Sequence, residues 1–306
     1  METIRIPNSA TYSPVALTDL MFAAPLASRL LLGATLPGRL LQAAAFGAYA
    51  GSVAGDWASR RGMRKIDFLK TYGADVKHLT AMTEDQRIDD VMRHAHELLD
   101  IYKPAERGRE AMAADVNERL TSYLASVTGQ RVETSSSVRQ MTLASVMMPH
   151  AIGSCDILSG DIAVFQDTGV FEAHILAHEF CHRKGYLKEL EAQGLAYLAL
   201  VSSQDQRLRQ AALAERVYRN LRALDGGDPA RYDTLLEATP LEGPLLENFK
   251  KLRPNSDRGG WFGKTMKDVY DSRMKLTGQN GLSDYDKGFT DFLFTYETAR
   301  QEGRVA

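Results

Sequence analysis

HEFCHRKGYLKELEAQG, residues 178–194, is the stretch that decides how this 306-residue chain is to be read. His178 and His182 are four apart. At about 3.6 residues per turn they project from one helix face, and Glu179 lies about 100° round, near enough to act on a water beside an ion. Two imidazoles at that spacing with a carboxylate after the first are the donors and base of a zinc hydrolase. The chain holds only seven histidines, so a solvated helix that happens to place two of them this way is the weaker account.

The flanking residues supply the setting. Residues 161–166, DIAVFQ, form a short β-prone run, and Asp167, Thr168 and Gly169 offer a cap and turn before the helix. Ile175, Leu176, Ala177 and Phe180 continue that helix, and Gly185, able to take a left-handed conformation, ends it. A second helix comes next with an apolar stripe of Leu187, Leu190, Gly194, Leu195, Leu198 and Val201. The longer pattern HExxHxxGxxH matches through Gly185 but meets Lys188 where a third histidine belongs, which disfavours the metzincins. Two carboxylates come after it, Glu189 and Glu191, pointing about 200° apart on a helix. Glu191 falls within the stripe and Glu189 lies towards Lys188 and Gln193, so Glu191 is the expected third ligand. On one unbroken helix Glu191 would sit about 13.5 Å beyond His182 on the opposite face, so the chain must turn at Gly185. His178, His182 and Glu191 would then hold Zn2+ with a fourth position open, the arrangement of catalytic zinc.

With HEFCHRKG at 178–185, ELEAQGLAYLAL at 189–200 and DVYDSRMKLTGQNGLSDYDKGFTDFLFTY at 268–296, the chain resembles glutamate-zincin metallopeptidases. It is more closely similar to an uncharacterised bacterial family of proposed membrane-anchored zincins, over roughly residues 145–300, with Gln193 where that family has Asn. The resemblance implies a zincin-like domain in which the strand before the active helix is the sheet edge that pairs with an extended substrate. It also implies that a phenol or imidazole from a distant segment stabilises the oxyanion. Tyr285, in its GLSDY context, and Tyr270 are the candidates, Tyr285 first.

At 44% hydrophobic and 25% charged residues the chain can bury a substantial core. A net charge of −2 gives no reason to expect nucleic acid. Only Cys155 and Cys181 are present, which offers no disulfide framework and fits a reducing compartment, and Cys181 reads as small core filler. His174 precedes His178 by one turn and reads as a supporting donor or a structural histidine. His150 could approach the cleft, whereas His94 and His96, two apart, face different helical sides.

Residues 15–58 differ from the rest. Leu40 to Gly55 is sixteen residues without a charge, with Ala43, Gly47, Gly51 and Gly55 spaced by four as a small-residue ridge that lets helices approach closely. Sixteen helical residues reach about 24 Å, short of a ~30 Å hydrocarbon core. Two readings stay open, membrane association or a packed soluble hairpin, with homo-oligomerisation through residues 43–55 compatible with either. Arg60, Arg61, Arg64 and Lys65 would keep the following domain on the cytoplasmic side of a membrane, and residues 1–7 lack the pattern of a secretory signal. Helices are expected over 85–102, 107–127 and 204–224, with linkers at 225–229 and 253–260.

The expected architecture is therefore α+β and predominantly helical, with residues 1–58 as an apolar N-terminal segment. Residues 59–306 form the zincin-like domain, including a C-terminal subdomain from about 226. The expected activity is hydrolysis of peptide bonds in a protein or peptide substrate by zinc and Glu179. The competing expectations are an oligomeric membrane scaffold with structural zinc and a zinc hydrolase of non-peptide substrates.

Overall fold

The computed structural model describes residues 1–104, 108–141, 152–254, 268 and 271–305. Its elements run β1 (Glu2–Arg5), α1 (Leu17–Leu32), α2 (Leu36–Ser59), α3 (Phe68–Tyr72), α4 (Glu84–Ile101), α5 (Arg109–Thr128), β2 (Gln130–Glu133), β3 (Gly153–Cys155) and β4 (Ile162–Val164). After these come α6 (Glu172–Arg183), α7 (Glu189–Val201), α8 (Gln206–Asp225), α9 (Pro229–Glu237), α10 (Gly243–Lys251) and α11 (Lys287–Gln301). The protein is thus predominantly helical with a minor strand content, as its composition and periodicity predict.

Local chemistry starts and stops these helices. Thr83 and Gln86 form a reciprocal capping box at α4, and the Asp205 and Asp228 side chains accept from the first-turn amides of α8 and α9. Gly73, Gly129 and Gly226 terminate α3, α5 and α8 in the left-handed region that a side chain would disfavour.

Two apolar clusters hold the helices together. In the first, Leu176, Ala177 and Phe180 of α6 meet Leu190, Leu195 and Ala196 of α7, Val116, Leu120 and Leu124 of α5, and Phe289 and Phe292 of α11. Gly194 is what admits α11, because a Cβ there would lie 2.7 Å from the Phe292 ring. The second joins Leu98 of α4, Val217 and Leu221 of α8, Tyr232 of α9 and Phe249 of α10. A buried ion network crosses this layer. Asp90 accepts two bonds from Arg216, each 2.8 Å, and Arg216 also binds Glu297 of α11.

The strands form two separate ladders, β1 parallel to β2 and β3 antiparallel to β4, with Gly153 opposite Val164 and Cys155 opposite Ile162. On its other side β4 receives the Arg139 amide at the Ile162 carbonyl, 2.7 Å away. Among the described residues β3 and β4 form a two-stranded sheet, and the other side of β4, the strand immediately before α6, carries one isolated parallel bridge to Arg139 and no second ladder.

Helices α1 and α2 pack as a hairpin. Hydrogen bonds tie it to the rest of the molecule: Tyr49 and Thr18 hydroxyls donate to Asp156, the Trp57 indole donates to the Leu158 carbonyl, and buried Asp56 accepts from Asn8 and the Ser9 amide. The buried line of α2 is Gly38, Ala45, Ser52 and Asp56. The ridge of Ala43, Gly47, Gly51 and Gly55 is exposed instead, and the space at all three glycines is open, so it makes no close helix contact among the described residues. No helix among the described residues is long and apolar enough to cross a membrane.

Candidate metal centre

The chain does turn where the spacing requires it. Helix α6 ends at Arg183, Gly185 adopts φ +89°, the Tyr186 amide returns to the Cys181 carbonyl at 2.9 Å, and α7 begins at Glu189. The turn packs α7 against α6 and brings one carboxylate over both histidines. That carboxylate belongs to Glu189, with its Oε2 3.0 Å from His178 Nε2 and 3.2 Å from His182 Nε2. The two Nε2 atoms are 3.1 Å apart, and all three residues are buried.

Glu191, the expected ligand, instead pairs with Lys188 at 2.8 Å on the outer side of α7. The reason is packing. The apolar stripe used to choose Glu191 is not the inward face of a one-sided helix, because α7 is buried on nearly all sides, Gln193 and Glu189 included. Periodicity cannot rank faces on such a helix. Glu189 is also its first residue, and its amide donates to Gln279 Oε1 at 2.7 Å, which fixes the helix end beside the histidines. Among the described residues, His178, His182 and Glu189 are the one cluster able to hold a metal ion.

The protonation pattern suits a cation. His182 Nδ1 lies 2.8 Å from the Tyr186 carbonyl and can only donate there, so the neutral ring turns its Nε2 lone pair into the cluster. Burial disfavours charge on His182, yet the adjacent Glu189 carboxylate outweighs it and raises its pKa; the same histidines hold the Glu189 carboxyl well below its usual range in spite of burial. His178 Nδ1 is buried without a hydrogen-bond partner among the described residues.

Glu179 stands on the β3 side. A Cβ built on Gly153 would meet its Oε1 at 2.9 Å and Ile175 Cγ2 at 2.9 Å, so only glycine lets the strand lie this close. Burial pushes the Glu179 pKa up, partly offset by His178 and His182. Tyr285 also approaches the centre, its ring centroid 6.1 Å from that of His178. The structure thus gathers His178, Glu179, His182 and Tyr285 and substitutes Glu189 for Glu191.

The remaining candidates divide. His174 is buried and faces Glu215, 3.8 Å from its Oε2, and burial lowers its pKa to about 4. Cys181 is core filler. His94 is buried against the Asp90 carbonyl while His96 is exposed. His150 and Tyr270 lie outside the described residues. Gly153, Gln279 and the α8 residues Glu215 and Arg219 do not stand out in the sequence. Nothing in their local spacing marks them, because each meets the centre through contacts distant along the chain.

The fold and cluster define a helical protein with a buried His–His–Glu centre flanked by a buried carboxylate. Residues 68–293 match the family described as protein of unknown function (DUF3810), and the chain belongs to that family. The matched span includes the whole centre and excludes β1 and the α1–α2 hairpin. No curated protein and no solved structure matches the chain.

Proposed function

We propose that this protein is a zinc-dependent metallopeptidase of the zincin type, with His178, His182 and Glu189 holding the ion and Glu179 acting as general base. One observation carries the reading: two imidazole Nε2 atoms and a carboxylate oxygen converge within 3.2 Å of one another in a buried site. Without a metal a proton on His182 satisfies this set, as its raised pKa shows, and a metal ion would take that proton's place among three converging lone pairs. Two nitrogens and one oxygen suit zinc and leave a coordination position for chemistry.

Bound there, zinc would supply Lewis-acid polarisation at neutral pH. The chain's own residues do the rest. Glu179, buried and with a raised pKa, takes a proton from the attacking water and delivers it to the leaving amine. Tyr285 donates its phenol proton in a hydrogen bond to the carbonyl oxygen as negative charge develops. A purely structural ion would leave the buried Glu179 carboxylate, placed against a glycine strand, without a role.

Purified protein should carry about one zinc per chain, and His178→Ala or His182→Ala should remove most of it. Glu179→Gln should keep the zinc and the fold and lose about 10²- to 10⁴-fold in turnover, read as peptide fragments that form with the natural chain and vanish with the variant. Full zinc in both histidine variants would overturn the assignment.

A further inference from the structure

We infer that Arg219 is a positioning residue that sets Tyr285 over the metal centre, a role that rests on the peptidase reading above. Arg219 lies on α8 at the junction of two helices and a loop. Its Nε donates to Glu215 Oε1 at 2.6 Å and its Nη1 to Asp286 Oδ1 at 2.9 Å. Its guanidinium carbon is 5.6 Å from the centroid of the Tyr285 ring and 5.2 Å from that of Tyr218. The group is therefore fixed at both ends of its fork and flanked by two aromatic rings.

Each contact acts on Tyr285. Asp286 is the next residue in the chain, so the ion pair pins the backbone from which the phenol projects. The cation then lies against the ring itself. The same ring neighbours His178, at 6.1 Å between centroids and 37° between planes. The other anchor, Glu215, is buried and extends towards the active helix, 3.8 Å from His174 Nδ1 and 3.4 Å from Gln193 Nε2 on α7. Arg219 thus ties the Tyr285 segment to the two helices that carry the candidate ligands. A phenol brought from about a hundred residues downstream gains its place only through such tertiary ties, and a displacement of about 1 Å is enough to cost a reacting group much of its effect.

Lysine would not replace it. A single ammonium cannot reach two carboxylates in a fixed fork and also cover a ring.

The test uses the zinc-loaded full chain and acetohydroxamate, a zinc-chelating probe whose oxygens can accept a hydrogen bond from a phenol. Arg219→Met should weaken acetohydroxamate binding by about tenfold, as Tyr285→Phe should, and the double variant should lose no more than either alone. Asp286→Asn, at a partly exposed site, should give the same loss by removing the other anchor without emptying the α8 position. Zinc content should match the natural chain in all four, and with a cleaved peptide kcat should fall while KM holds. Unchanged probe affinity in Arg219→Met or, should that variant not fold, in Asp286→Asn would overturn the role, as would no effect of Tyr285→Phe or losses that multiply in the double variant. A natural chain that takes up no zinc would instead defeat the peptidase reading, and this role with it.

Discussion

At the scale of single residues, Glu189 serves through two separate groups: its amide closes the start of α7 on Gln279, and its carboxylate reaches both histidines. Removing that side chain should be far costlier than removing Glu191. Loss of a group merely supporting a metal ligand costs about 10- to 100-fold in affinity, so Glu189→Ala should weaken zinc binding by more than about a hundredfold. Glu191→Ala breaks a partly exposed pair with Lys188 and should change zinc affinity by less than about twofold, since such pairs contribute only a few tenths of a kcal/mol. Competition with a chelator of known affinity measures both, and the reverse ranking would return the ligand role to Glu191.

Among elements, α4 and α8 are joined by charge as well as by apolar packing, and the consequence is a dependence on pH. Asp90 and Arg216 are almost wholly buried. Burial alone would raise the Asp90 pKa, but His94 and Arg216 more than reverse this and hold its carboxyl well below the ordinary range. A carboxylate depressed in the folded state contributes stability that is complete above its unfolded value, about 4, and is lost as pH falls through the folded value. Asp90→Asn should therefore cost about 1–3 kcal/mol at pH 7, where Arg216 keeps its pair with Glu297 but loses its fully buried partner, and should flatten the acid limb of the stability curve. Denaturant midpoints at pH 7 and pH 3 give both quantities; equal losses at the two pH values would count against the network. The helices themselves were legible in the chain. Expected spans of 85–102 and 204–224 became Glu84–Ile101 and Gln206–Asp225, because caps and periodicity are local. Within the centre, HEFCH and the break at Gly185 were legible for the same reason. The choice between Glu189 and Glu191 was not, since α7 is enclosed on nearly every side and its pattern does not tell inward from outward. Arg219 and Gly153 were invisible because their partners are distant along the chain.

Over the whole molecule, the α1–α2 hairpin combines polar ties to the protein with an exposed apolar surface. It offers hydroxyls, an indole N–H and a buried carboxylate to the protein, and leaves Leu30, Leu31 and Leu36 at least 70% exposed to solvent. Between residues 20 and 55 its only charges are Arg29 and Arg39. We propose that an exposed apolar surface of that extent takes an apolar partner, either lipid or another copy of the hairpin. The monomer itself has no need of the small residues on the outer ridge. Gly47→Leu with Gly51→Leu should fold with equal or greater stability, gaining up to about 1 kcal/mol per site in helix propensity, while altering the oligomeric state or membrane fractionation of the full chain. Thermal melting and detergent-free fractionation read the two effects separately. A variant that melts lower would place the ridge inside the fold, and one that fractionates unchanged would leave it as plain helix surface.

The turn between α6 and α7 also acts as a ruler. Seven positions separate His182 from Glu189, and the second helix starts on the residue that must reach back. Each residue inserted into that helix ahead of its packed face would rotate the remainder of the helix by about 100°, and each one added to the connector would move the carboxylate off the histidines. Connector length is therefore a constraint as strict as residue type. A related chain that keeps HEFCH but lengthens or shortens the stretch from Arg183 to Lys188 would lose the centre without losing a single ligand. Equivalent changes in the loop between Val201 and Gln206, beyond the far end of the same helix, would leave it intact.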